Sequence, residues 1–242
     1  MNFIEAITSR QSTRQFTNQD VPQELLDEIL ETALLAPSSS NTQPYRIAVA
    51  TGDVCAAISR DLTEKFQKAN ALNGLPLPLK VAKGVLSGAF PDGDIKPQTT
   101  YPPELHKRSV DCGRGLYESL GIERHDRDAR DAQAQRNFEF FDAPVAIFVF
   151  IHKKMGHLGA LDAGLFLQSL MLAATDKGLG TCTQGSLGLW GSPVRERFEI
   201  EKDYQLICGL SLGYPDEEHA ANQYRPNKRT LDELKSPLKH PE

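Results

Sequence analysis

The chain has 242 residues, of which 24% are charged and 40% hydrophobic, a composition typical of one globular domain with a sizeable core. Its formal net charge of -5 provides no basic field for the phosphates of a nucleic acid or for an anionic membrane surface. Neither is therefore expected as a partner.

Apolar residues repeat at helical or strand spacing along most of the chain. The run of apolar residues at 145–150 does not alternate, so we expect both faces of its sheet to be covered. The helix at 158–177 is apolar on nearly every side and is expected to be buried, in part across a subunit interface. Helices precede most strands, which predicts an α+β fold. The predicted elements are a helix ending near Ser9, an extended segment at 10–17, a helix that starts at Pro22 and that Pro37 stops, a strand at 45–50, a helix at 54–66, helices at 105–120 and 123–136, a strand at 144–151, the helix at 158–177 and a strand at 206–212.

Two segments break this rhythm within a predicted single domain over residues 1–242. Residues 70–103 are rich in proline and glycine, and long loops in compact domains are commonly lids or binding loops, so we interpret them as a lid. Residues 214–242 form a polar tail without a continuous apolar face, which must pack on another part of the protein or stay disordered.

Several kinds of chemistry are not expected. The four cysteines form no Cys-x-x-Cys pair and the histidines have no metal-ligand spacing, so we expect reduced thiols and no metal site. No Gly-x-Ser-x-Gly nucleophile motif is present. The N-terminus lacks the apolar run of a signal peptide, and nowhere do about eighteen apolar residues follow one another. These features favour a cytoplasmic protein.

A phosphate site is the first candidate for function. Arg10, Ser12 and Arg14 stand two residues apart, so an extended segment places their side chains on one face. Two guanidinium groups and a hydroxyl suit a phosphate. The alternative is an exposed polar strand.

Two further segments are candidates for ligand contact. Residues 36–45 (APSSSNTQPY) offer many donors and acceptors to a planar heterocycle, although an ordinary turn prefers the same residues. Residues 178–185 (GLGTCTQG) contain glycines that allow close approach of a ligand to the backbone, or form a helix C-cap and a surface turn. The full Gly-x-Gly-x-x-Gly fingerprint is missing and we expect no strand directly before them.

Four motifs follow one another along the chain, namely 9–16 (SRQSTRQF), 36–45 (APSSSNTQPY), 178–181 (GLGT) and 227–230 (NKRT). Taken together and in this order, they resemble the FMN-dependent nitroreductase family. The resemblance implies a central mixed, mainly antiparallel sheet flanked by helices, in a homodimer with FMN sites at the subunit interface. A further likeness, at 116–122 with Arg124, Asp126 and Arg130, is to the subgroup that includes nitrobenzoate reductases.

The resemblance also implies which residues bind FMN. Many family members carry Glu where this chain has Gln184, and often Lys where it has Asn227, a charge that Arg225 or Lys228 could replace. The implied residues are Arg10, Gln11, Ser12, Arg14 and Arg229 for the phosphate and ribityl chain, Pro37, Ser38, Ser39 and Asn41 for the flavin held mainly by the other subunit, Gln184 and Gly185 for a backbone N–H directed at flavin N5, and Asn137 for a further flavin contact.

The function implied by the resemblance is a two-step hydride transfer. NAD(P)H reduces the flavin at N5, and a small nitroaromatic or quinone acceptor then takes two electrons, so no protein side chain is a nucleophile. Arg14 is the candidate for stabilising the anionic reduced flavin. The 70–103 segment would decide the acceptor, with Lys80 or Lys83 attracting a carboxylate. Alternatives are a flavin reductase, a reductive dehalogenase, a flavin-cleaving enzyme or a non-catalytic flavin-binding sensor.

Overall fold

The computed structural model describes residues 1–95 and 100–236. Four strands form one sheet in the order β1-β2-β4-β3, with every neighbouring pair antiparallel. A parallel bridge from Ser12 to Thr181 adds the N-terminal segment to its edge, so the predicted mixed, mainly antiparallel α+β sheet is confirmed. The strands are β1 (Tyr45–Thr51), β2 (Val145–His152), β3 (Gly180–Gln184) and β4 (Tyr204–Gly213).

Helices cover both faces of this sheet, and a buried apolar cluster lies on each face. Longer helices follow the predicted apolar periodicity, whereas three short ones are single turns. The helices are α1 (Phe3–Ser9), α2 (Gln23–Ala33), α3 (Gly52–Asn70), α4 (Leu77–Ser87), α5 (Pro103–Ser119), α6 (Arg127–Gln135), α7 (Gly156–Asp176), α8 (Ser192–Arg195), α9 (Ala220–Gln223) and α10 (Leu231–Leu234).

The central strand β2 explains why its sequence does not alternate. Phe148 and Phe150 belong to the cluster under α3, whereas Ile147 and Val149 belong to the cluster under α2 and α7. Burial of each such side chain stabilises the fold by about 1.5–3 kcal/mol. The expectation that both faces are covered is confirmed.

Helix α7 is less buried within the protomer than its composition predicts. Asp162 and Phe166 face the interior, but Leu161 is 59% exposed, and Leu158 and Leu165 are also exposed. The reason is that the sheet covers only one side of a helix. Helix α7 is long and apolar enough to cross a membrane, but core helices also meet this criterion. Here α7 packs against α2 and β2.

The 70–103 segment is not a continuous loop. It contains α4, which begins after Pro76 and carries a second proline in its first turn, where the missing N–H costs no hydrogen bond. Gly88 ends α4 with φ of 64°. Pro76 and Pro78, which suggested a loop, therefore start a helix. Residues 96–99 of the segment lie outside the described residues.

Other sequence expectations also need correction. Residues 180–184 are an edge strand rather than a turn, because β-branched residues there pair with β4. Pro22 is the N-cap of α2 and not its first residue, and α2 ends at Ala33, before Pro37. The polar tail folds into α9 and α10 up to residue 236, and the rest of it lies beyond the described part of the chain.

Candidate active site

A cavity of about 810 Å³ lies at the ends of β3 and β4, a size typical of ligand sites. The 3-10 turn Gly185–Gly188 forms its floor together with the neighbouring strand ends. Predicted site residues from three distant parts of the chain line it, namely Arg14, Asn137, Gln184 and Gly185.

The N-terminal segment runs along the edge strand toward this cavity. The Thr13 N–H donates to the Thr181 carbonyl oxygen at 2.9 Å, and the Arg14 N–H donates to Asn222 Oδ1 at 2.7 Å. Asn222 Nδ2 in turn donates to the Gln15 carbonyl oxygen at 2.8 Å. The segment is thus held extended between β3 and the C-terminal region, as the phosphate-site prediction requires. The sequence contained no signal for Asn222.

The guanidinium groups of this segment lie near Cys182 on β3. Burial raises the pKa of the Cys182 thiol, and the charges of Arg14 and Arg10 act in the opposite direction. The charges of both arginines therefore act on the same thiol. The intervening Thr13 is buried instead. Ser12 and Arg14 on either side of it are partly exposed.

Gly180 has a structural role that its motif did not reveal. A Cβ atom at Gly180 would lie 2.4 Å from Thr13 Oγ1 and 2.9 Å from Thr13 Cβ. Only glycine therefore lets the N-terminal segment approach β3 this closely. The close approach expected for a ligand at this glycine is in fact made by Thr13.

Gln184 and Asn137, which are distant in sequence, form a buried hydrogen-bonded pair. Gln184 is only 3% exposed, and its Nε2 donates to the Asn137 carbonyl oxygen at 2.7 Å. The Ser211 hydroxyl donates to Gln184 Oε1. Since both ends of the Gln184 amide have protein partners, this side chain points inward and holds the Asn137 backbone at the cavity.

The chain opens toward the cavity immediately after Gln184. A Cβ atom placed on Gly185 would meet no atom within 4 Å. A ligand could therefore approach the Gly185 backbone without displacing protein atoms.

The serine and asparagine loop lies elsewhere. Pro37, Ser38, Ser39 and Asn41 do not line the cavity of their own protomer, and the loop is largely exposed. The Ser39 N–H lies 3.2 Å from both carboxylate oxygens of the buried Asp162 in α7. The sequence analysis did not predict a role for Asp162, although a carboxylate within an apolar helix is a recognisable signal.

The basic residues near the C-terminus separate into two positions. Both Nη atoms of Arg225 donate to the Ser9 carbonyl oxygen at 3.2 Å, next to the phosphate-site segment. Arg229 is exposed. Donors of Thr230 lower the pKa of Glu233, and the charges of Arg108 and Arg229 add to this, which places Arg229 near α10. Of these two residues, Arg225 is thus the one that contacts the segment within its own protomer.

Several buried polar atoms have no hydrogen-bond partner within the described residues. Gln11 Oε1, Thr181 Oγ1 and Ser186 Oγ are buried and accept or donate no hydrogen bond within the described parts of the chain. Buried polar atoms in folded proteins almost always have a partner. Of these three residues Ser186 lines the cavity, so its hydroxyl is the one that a polar ligand there could satisfy.

The antiparallel sheet covered by helices, with a cavity lined by Arg14 and Gly185 at its strand ends, is consistent with the class of flavin-dependent oxidoreductases. Residues 7–214 match the Nitroreductase family, so the chain belongs to that family.

Relatives are similar over nearly the whole chain. It is 33% identical to nitrobenzene nitroreductase of Ectopseudomonas oleovorans, covering 95% of this chain and 94% of the relative. It is 32% identical to 4-nitrobenzoate reductase of Pseudomonas putida, covering 93% and 90%. The crystal structure of the FMN and NADPH-dependent nitroreductase NfnB from Sphigopyxis sp. strain HMH superposes with a TM-score of 0.82 at 32% identity, covering 99% of this chain and 100% of that one.

Proposed function

We propose that this protein is an FMN-dependent oxidoreductase that takes hydride from NAD(P)H and passes two electrons to a small nitroaromatic or quinone acceptor. The observation that carries the proposal is the meeting of Arg14, Asn137 and Gly185 in one cavity of about 810 Å³. These residues come from three distant segments, and each was implied to bind FMN by the family resemblance. When bound, FMN supplies the hydride chemistry.

The chain's own residues have distinct tasks in this proposal. Arg10 and Ser12 bind the phosphate, and the unpartnered oxygen of Gln11 accepts from a hydroxyl of the ribityl chain. Arg14 stabilises negative charge at the pyrimidine edge of the flavin. The Gly185 N–H is assigned to flavin N5. Catalysis then depends on placement and charge and not on a protein nucleophile.

A basic residue near the C-terminus completes the phosphate site. Arg225 is held against the Ser9 backbone and is favoured within one protomer. Arg229, which the family resemblance implies, is exposed and would act on the site of the other subunit. Either residue adds a cation near Arg10.

We further propose that the protein is a homodimer with FMN sites at its interface. The face formed by α1 and α7 exposes large apolar side chains, including Phe3 at 66% and Leu161 at 59%. Leu35 beside the 37–41 loop is 84% exposed. Contiguous exposed apolar surface marks an interaction site. Burying it against a second copy would bring that loop to the other subunit's cavity.

The acceptor side of the cavity is assigned to the 70–103 segment, in which we place the lid. Ile95 and Tyr101, which flank its undescribed residues, both line the cavity. Lys80 and Lys83 belong to α4 and do not line it. An apolar and aromatic wall therefore receives the acceptor, and a carboxylate site at the two lysines is not supported.

An anaerobic absorbance experiment tests the function. Purified protein is loaded with FMN, then NADH or NADPH is added, and finally nitrobenzene, 4-nitrobenzoate or a quinone. We expect the flavin band to bleach with a nicotinamide and to recover with an acceptor. Bound FMN that never bleaches would favour the sensor alternative, and failure to bind FMN would refute the proposal.

A matched pair of variants tests the phosphate assignment. Arg10→Ala should weaken FMN binding by about 1.5–3 kcal/mol, the usual contribution of a charged hydrogen bond. Arg46→Ala removes an arginine that lies over the Tyr204 ring instead and should leave FMN affinity unchanged. Equal affinities of the two variants would contradict the assignment.

A further inference from the structure

A short turn at residues 92–94, here called the anchor turn, is fastened to the wall of the cavity. Asp92 Oδ1 accepts from the Gly191 and Ser192 N–H groups at 2.7 and 3.1 Å. Its Oδ2 accepts from the Ser192 hydroxyl at 2.7 Å and from Lys65 Nζ at 3.1 Å. Four donors on one exposed carboxylate are more than an isolated surface ion pair provides.

The second carboxylate of the turn contacts the cavity wall directly. Asp94 Oδ2 accepts from the Leu206 N–H at 2.7 Å and from Arg195 Nη2 at 2.8 Å. Leu206 lines the cavity. Arg195 also donates to the Tyr204 carbonyl oxygen at 2.6 Å, so one guanidinium joins the anchor turn to β4.

Gly93, between Asp92 and Asp94, lies against the backbone of the cavity wall. Its N–H donates to the Leu189 carbonyl oxygen at 2.9 Å, and a Cβ atom there would lie 2.0 Å from the Gly188 carbonyl oxygen. Gly188 and Leu189 line the cavity. The anchor turn is thus hydrogen-bonded to and closely packed against the turn that follows Gly185, and no side chain at position 93 would fit between the two.

The residue after the anchor turn is Ile95, which lines the cavity. We propose that Asp92, Gly93 and Asp94 are positioning residues that hold Ile95 against the acceptor and thereby set acceptor affinity and selectivity. This inference rests on the proposed function. Rigid placement matters because a displacement of about 1 Å near reacting groups can cost about 100-fold in rate.

The anchor turn has a matched control on the same side of the protein. Arg197 Nη2 donates to Asp61 Oδ2 at 2.7 Å, an ion pair of similar length and exposure to the one between Arg195 and Asp94. Asp61 lies on α3 and does not line the cavity. Asp61→Ala therefore removes a comparable ion pair without releasing Ile95.

Steady-state kinetics of the FMN-loaded protein test the inference. Asp92→Ala and Asp94→Ala should each raise KM for nitrobenzene about tenfold, the range of one apolar contact, with FMN affinity close to wild type. Asp61→Ala should leave KM unchanged. Unchanged KM in both anchor variants, or an equal rise in Asp61→Ala, would overturn the inference. So would a parallel loss of FMN affinity, because that would indicate a general structural role.

Ile95→Ala keeps the test decisive if an anchor variant does not fold. It should raise KM to a similar extent, and adding Asp94→Ala to it should have little further effect, since both changes remove the same contact. Full additivity would overturn the inference. If the flavin band of the wild-type protein bleaches and recovers but the variants have the wild-type KM, only the anchor role is refuted. If the flavin band of the wild-type protein never bleaches, the proposed function is refuted and this inference with it.

Discussion

Replacing Gln184 by glutamate tests the buried pair that holds Asn137. The change is nearly isosteric, but it puts an oxygen where Nε2 now donates to the Asn137 carbonyl oxygen at 2.7 Å. An ionised carboxylate there would face another acceptor in a site that is 3% exposed. Burial and the lost donor therefore raise the pKa of the introduced carboxyl group, while the Ser211 hydroxyl bond opposes the rise.

The raised pKa of the introduced carboxyl group has a definite sign for stability. At low pH the protonated acid donates to Asn137 as the amide does, so the variant is close to wild type. As pH rises above the unfolded value of about 4.3, the unfolded chain loses its proton first and the folded state is penalised. The free energy of unfolding of the variant decreases until the pH passes the raised folded pKa. The total loss should reach about 2–3 kcal/mol, the cost of a buried unsatisfied polar group near a charge.

Thermal unfolding at pH 5 and pH 8 measures this effect. About 1 kcal/mol of this loss has already occurred at pH 5, which lies above the unfolded value. The Tm of Gln184→Glu relative to wild type should therefore be lower by roughly 2–8 °C more at pH 8 than at pH 5. Gln67→Glu is the control, because Gln67 makes an exposed hydrogen bond to Gln135. If the difference from wild type is the same at both pH values, the Gln184 amide does not fix Asn137 and the reasoning is refuted.

Three other predictions concern the same site. Gly185→Ala should weaken FMN binding about tenfold, or about 1.4 kcal/mol, with Tm unchanged, because its methyl enters open cavity and meets no protein atom; a titration that finds wild-type affinity would contradict the N5 assignment. Differently tagged Arg10→Ala and Asp162→Ala chains should each bind FMN poorly as homodimers. When they are co-expressed, the mixed dimer should bind one FMN, because the loop held by Asp162 serves the other subunit and one of its two sites is then intact. No FMN in the purified mixed dimer would indicate that the loop acts within its own subunit. Replacing Lys80 and Lys83 together by Ala should leave KM for 4-nitrobenzoate unchanged in steady-state assays, because neither lysine lines the cavity. A large rise in KM would indicate that the carboxylate of this acceptor binds at α4 after all.

Local signals made much of the fold predictable from the sequence. The apolar periodicity of α2, the unbroken apolar run of β2 and the glycine that follows α7 at Gly178 each depend on neighbours within a few residues. The spacing of Arg10, Ser12 and Arg14 likewise predicted a shared face. These features require only the local geometry of a helix, a strand or a cap.

Where local signals were ambiguous, the sequence was misleading. Proline in 70–103 indicated a loop, but proline is also favourable in the first turn of a helix, and α4 uses it there. The glycines before Gln184 indicated a turn, but pairing with β4 makes those residues a strand. Neighbouring strands and helices decide between such alternatives.

By itself, then, the sequence determined the elements, because periodicity and caps are local in the chain, and its resemblance to a family implied a set of candidate FMN-binding residues. Only the tertiary structure decided that Gln184 holds Asn137, that Gly180 admits Thr13 and that residues 92–94 grip the cavity wall. Each of these contacts joins residues far apart in sequence. Their partners are set by how the sheet and its helices pack, which no local pattern encodes.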